Sequence, residues 1–98
     1  MLLKDAVGQI KSFDDDLVIW GLPGDDGWSG ETEIRLLSGR AEPESEGSTP
    51  LRRLLEVWLA QEVLDVWSAW RDGTMPTTEE AVAALVHYAT HDAYLSPG

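Results

Sequence analysis

The chain contains no cysteine. Disulfides and thiolate metal sites are therefore excluded, which fits a reducing cytoplasm. Positive charge is scarce. Seven lysines and arginines stand against eighteen acidic residues, for a formal net charge of −11. Such a chain repels nucleic acid and anionic membrane surfaces. No apolar run approaches the ~20 residues of a membrane span. The start, Met1-Leu2-Leu3-Lys4-Asp5, is charged too early for the apolar core of a secretory leader. No phosphate-binding loop occurs, because no Lys-Ser/Thr follows a glycine, and no His-Glu-x-x-His motif occurs. Ser29, Ser38 and Ser68 lack the glycine context of a nucleophile elbow. No enzyme motif and no cofactor is implied.

What remains is a globular composition: 98 residues, 43% hydrophobic and 26% charged, sized for one domain, residues 1–98. Leu3, Ala6, Val7 and Ile10 recur at helical spacing and predict a short amphipathic helix over 2–11, weakened by Gly8. Leu17-Val18-Ile19-Trp20 is apolar on both faces, as an inner strand would be. Residues 21–30 read as a loop. Residues 31–37 then alternate, with Thr32, Ile34 and Leu36 on one side and Glu31, Glu33 and Arg35 on the other, a half-buried strand antiparallel to the first. Residues 38–49 are rich in Gly, Pro, Ser and Glu and read as a mobile connector. Two strands are marginal in water. Either a short third strand lies in the connector, or the sheet leans on the helix that follows.

That helix is predicted from Thr49-Pro50, an N-cap followed by proline at the first helical position, to about Arg71, with Asp72-Gly73 as its stop. Leu51, Leu55, Leu59, Val63, Val66, Trp67 and Trp70 form one broad stripe flanked by Trp58. Leu54, Val57 and Leu64 form a second, narrower one. A helix apolar on two sides is a central element or part of a dimer seam. Thr77 and Glu80 form a capping box that opens the last helix, whose buried face is Ala81, Val82, Leu85, Tyr88 and Ala89. It frays near residues 92–95, and residues 96–98 are a tail.

Several residue groups invite a chemical reading. His87 and His91 stand four apart on a helix, a spacing that can share a metal. Both fall on the polar side with no third ligand in sequence, so no metal site is expected. Asp14-Asp15-Asp16 and Asp25-Asp26-Gly27 lack the alternation of a calcium loop. Glu56, Glu62 and Asp65 read as partners of Arg52, Arg53 or Arg71, or as solvated groups, rather than as a catalytic pair. Glu62 falls near the edge of the main stripe. Trp28 sits in a Gly-rich, acidic loop. It is either an exposed binding hot spot ringed by Asp25, Asp26 and Glu31, or it folds back to cap the strands, over Trp20.

Ten of the eighteen acidic residues fall between Asp14 and Glu46, where only Arg35 and Arg40 offset them, a local charge of −8. A rigid acidic face with an aromatic suits a basic protein partner. The expected binding set is Asp14, Asp15, Asp16, Asp25, Asp26, Trp28, Glu31 and Glu33.

Part of the second half resembles a family of small, uncharacterised bacterial domains. The likeness rests on Glu56-Val57, Val63-Leu64-Asp65-Val66-Trp67-Ser68-Ala69-Trp70-Arg71, Gly73, Pro76-Thr77, Tyr88-Ala89 and Asp92-Ala93-Tyr94-Leu95, under half of the chain. It carries no chemistry with it. In size, acidity and layout the chain is similar, more loosely, to immunity proteins of bacterial toxin systems, which neutralise a basic toxin. Acidity is also shared by nucleic-acid mimics that inhibit nucleases. The expected fold is α+β: a short N-terminal helix, a two- or three-stranded antiparallel sheet, then two long antiparallel helices. The expected function is a cytoplasmic, monomeric, non-enzymatic binder that occludes a basic partner, a toxin. The alternatives are a regulatory or structural homodimer using the second stripe of the central helix, and a nucleic-acid mimic.

Overall fold

The computed structural model describes residues 1–25, 27–38 and 51–95. The fold is α+β: helix α1 (Leu3–Val7), a 3-10 turn (Ile10–Ser12), strands β1 (Leu17–Gly21), β2 (Ile34–Ser38) and β3 (Arg52–Glu56), and helices α2 (Val57–Ala69) and α3 (Thr78–His91). Of the expected connector over 38–49, Ser38 instead ends β2; the rest of it, the Thr49-Pro50 helix start, Asp26 and the tail 96–98 lie outside the described residues.

β1 is the middle strand of an antiparallel sheet ordered β2-β1-β3. This accounts for its two apolar faces, with Val18 and Ile19 both buried. Ile19 pairs with Leu36 on one side and Leu55 on the other. β2 keeps the expected alternation but begins at Ile34. Glu33 lies just before it, bridged to Leu2 and accepting from the Leu22 N–H at 3.0 Å.

The third strand corrects the expected helix over 50–71. Residues 52–56 pair with β1, and α2 begins only at Val57. Leu51, Leu55 and Leu59 do fit a helical spacing, but a short apolar run fits strand and helix alike. The second edge of β1 decides between them. A bulge at Ile19/Trp20 leaves Leu54 without a partner, so the consecutive Leu54 and Leu55 are both buried. Glu56 ends β3 and is also the N-cap of α2, with no side-chain capping bond, so no start signal marks this junction in the sequence.

One hydrophobic cluster draws on both ends of the chain, with Leu3, Ile19, Val57, Val63 and Leu85 fully buried. Of the tryptophans on α2 and its C-cap, Trp67 is in the core, whereas Trp58 and Trp70 are 51% and 49% exposed. The second stripe is not a surface seam. Leu54, Val57 and Leu64 are spent on the chain's own core. α1 is shorter than expected, ending at Val7 with Gly8 as its C-cap, but Leu3, Ala6, Val7 and Ile10 are buried as the spacing predicts. α2 stops at Ala69, and the Gly73 N–H closes the turn on the Ser68 carbonyl at 2.8 Å. The Thr77/Glu80 capping box forms as expected. On α3 Ala84 joins the buried face, Tyr88 is half-buried and Ala89 is exposed, correcting its place in that face. Among the described residues no helix is long and apolar enough to cross a membrane.

Candidate protein-binding surface

The acidic residues singled out in the sequence are divided by β1 into two groups. Asp14, Asp15 and Asp16 precede the strand and are exposed. Asp25, Trp28, Glu31 and Glu33 follow it. Four residue steps of extended chain put roughly 13 Å between the two ends of the strand. At the first end the three Asp carboxylates form no ion pair among the described residues. At the second, Asp25 is exposed, the Glu31 carboxylate accepts from Lys4 at 2.8 Å, and Glu33 accepts from the terminal ammonium of Met1 at 3.2 Å. The hydrogen bond and the charge of Glu31 hold the Lys4 ammonium above its usual pKa. Exposed pairs of this kind stabilise little, but they lower the local negative charge. The Asp14–Asp16 end is thus the less compensated of the two.

Trp28 folds back on the strands, half-buried, against Gly21 rather than Trp20. A Cβ at Gly21 would lie 2.7 Å from Trp28 Cζ3 and 2.8 Å from the Glu33 carbonyl oxygen, so only glycine leaves room for the indole. The loop that carries Trp28 is tied down on several sides. Ser29 N–H donates to Thr32 Oγ1 at 2.9 Å, and Thr32 N–H donates to the Ser29 carbonyl at 3.1 Å. The first N–H groups of α1, which no helix can satisfy internally, are taken up by the same loop: Leu3 donates to Thr32 O and Lys4 to Gly30 O, each at 2.9 Å.

The side of Trp28 left open lines a groove of about 740 Å³ between this loop and α3. Its floor includes Val82 and Val86, and Lys4, Glu31 and Glu79 stand around it. Gly30 brings the loop close: a Cβ there would be 3.2 Å from Lys4 Cβ and 3.9 Å from Val82 Cγ2. Reasoning from the sequence missed Glu79, Val82 and Val86 as neighbours of Trp28. Val82 was legible only as a core position, and nothing local in the sequence links it to a loop fifty residues away.

Elsewhere the structure revises several pairings. Glu56 pairs with Arg53, as expected, and Asp65 with Lys11 rather than with an arginine. Glu62 is exposed and accepts from Tyr94 Oη at 3.2 Å. Tyr94 also packs on Trp70 and Tyr88, with ring centroids 5.8 and 5.1 Å apart. Its phenol is pushed above the usual range, first by burial and then by Glu62. Arg71 lies over the Trp67 ring, 4.1 Å from its centroid. The rings of His87, half-buried, and His91, exposed, are 4.6 Å apart, and no cluster of three or more metal-binding side chains occurs among the described residues. Among the described residues, a second groove, between the 3-10 turn and the Met75–Thr78 segment, has no convergent ionisable groups beyond the Lys11–Asp65 pair. No family model, curated protein or solved structure matches this chain.

Proposed function

We propose that this chain is an immunity-type inhibitor: a non-enzymatic module that binds a basic protein, a toxin, and occludes its cationic active-site cleft. One observation carries the reading. Every described carboxylate of the acidic segment is solvent-exposed, in the short segments that flank β1 and β2 of the three-stranded sheet. Carboxylates held in place on a scaffold lose little freedom when they bind, and a field of one sign steers a basic partner into encounter. The uncompensated Asp14–Asp16 group supplies the long-range attraction. The Trp28 end supplies short-range contact, because a half-exposed aromatic on a rigid loop is the kind of group that slows dissociation.

The homodimer alternative loses its motive. The stripe it needed is inside the monomer, and two copies at −11 each repel one another. Sedimentation should give a monomer, and a dimer stable to dilution would count against occlusion. The decisive experiment is co-expression with the product of the adjacent gene, followed by stopped-flow association at several salt concentrations. Asp14, Asp15 and Asp16 changed together to Asn should slow association and flatten its salt dependence, since screening acts over ~8 Å at physiological strength. Neutralising Asp14, Asp15, Asp25 and Asp26 together should do so more strongly. Trp28→Ala should chiefly raise the dissociation rate. Association of the quadruple variant at the wild-type rate in low salt would reduce the acidic segment to a solvated surface.

A further inference from the structure

We propose that the groove between the Trp28–Glu31 loop and α3 receives an arginine side chain presented by the partner. The inference deepens the reading above and rests on it for the source of the arginine, but the groove can be tested without that partner. Its floor is apolar, made by the open side of Trp28 with Val82 and Val86. Its rim carries two exposed carboxylates, Glu31 and Glu79. Among the described residues lining it, Lys4 is the one cation, and it is already engaged by Glu31 at 2.8 Å. Glu79 is thus left as the uncompensated charge, and an occupant that combines an apolar stem with a cationic head matches the groove.

Other occupants fit less well. An anion would be drawn to the start of α3, but the capping box already takes up part of that end. Thr77 Oγ1 accepts from the Glu80 N–H at 3.2 Å, and the Glu80 carboxylate accepts from the Thr77 N–H at 3.0 Å. Glu79 adds a repelling charge. A purely apolar side chain would leave Glu79 without a counter-charge, Glu31 being paired with Lys4. Lysine matches the charge, but its ammonium is compact and strongly hydrated. A guanidinium is planar, sheds water more readily, stacks on an indole and can bond a carboxylate through two N–H groups. The molecule already uses this arrangement once, with Arg71 over Trp67. The groove is also held open in advance, since the loop is hydrogen-bonded to α1 and Gly30 sets its approach to Val82. A preformed site loses less freedom on binding.

The test is a titration of the isotope-labelled full chain with a blocked arginine amide, followed by amide chemical shifts. Blocked citrulline, of the same shape without charge, and blocked lysine serve as comparators. Saturable shifts centred on Trp28–Glu31 and on 79–86 are expected, with citrulline clearly weaker than arginine. Glu79→Gln, an exposed change outside the capping box, should weaken arginine about two- to fivefold, the effect of losing one exposed charge contact. Asp14→Asn should leave it unchanged. Shifts centred on Asp14–Asp16, equal binding of citrulline, or no saturable shift would each overturn the assignment. If a basic partner binds through Asp14–Asp16 while the groove ignores arginine, the groove assignment falls and the inhibitor reading stands. If the groove takes arginine and the adjacent gene product does not bind, the reverse holds.

Discussion

Removing the Trp67 indole should separate the core tryptophan from its exposed neighbours. Trp67 is 4% exposed, with Arg71 over its ring. A tryptophan buries at most ~250 Å². At ~25 cal/mol per Å², that area sets an upper bound of roughly 6 kcal/mol. Large-to-small substitutions of buried aromatics lose about 3–5 kcal/mol once partial collapse of the cavity is included. Trp58 and Trp70, at 51% and 49% exposed, have about half the area to lose, an upper bound near ~3 kcal/mol each. A chain of this size has a total stability of only about 5–15 kcal/mol. With a urea slope of about 1.5 kcal/mol per M, a loss of ~4 kcal/mol moves the midpoint by roughly 2.5 M. The assay is urea denaturation of Trp67→Ala, Trp58→Ala and Trp70→Ala, read by far-ultraviolet circular dichroism because the substitutions alter the fluorescence. A midpoint shift for Trp67→Ala no larger than that for Trp58→Ala would refute the placement of Trp67 in the core.

Gly21→Ala should destabilise by about 1–3 kcal/mol, the range for overpacking, since the added methyl meets both the Trp28 ring and the Glu33 carbonyl. Adding Trp28→Ala should recover only part of the loss, because the backbone contact remains, and urea midpoints of the single and double variants decide this. Thr77→Ala removes the acceptor for the Glu80 N–H and should reduce stability by about 0.5–2 kcal/mol, with Thr77→Ser retaining most of it on thermal unfolding. Tyr94 should ionise above the usual tyrosine range in an ultraviolet titration, and Glu62→Gln should lower its pKa only in part, because burial is the larger cause. Its folded pKa lies above the unfolded one. Its contribution to stability is therefore complete below the unfolded value and is lost as alkaline pH rises through the folded value.

Local chemistry determined much of this protein by itself. The helix spacing of Leu3, Ala6, Val7 and Ile10 and the double-sided apolarity of Leu17–Trp20 were legible, because each is a pattern within a few residues. So were the alternation from Glu31 to Leu36 and the capping box at Thr77 and Glu80. Only the tertiary structure decided that residues 52–56 are a strand. Their apolar spacing fits a helix as well, and the choice depends on β1 having a second edge to fill. The same pairing placed Leu54 and Leu55 inside and left the second stripe no surface to offer. Tertiary structure also divided the acidic run between the two ends of β1 and laid Trp28 on Gly21 beside Val82 and Val86 of α3. No local signal could show this, because the energy of each placement resides in contacts between segments far apart in the chain.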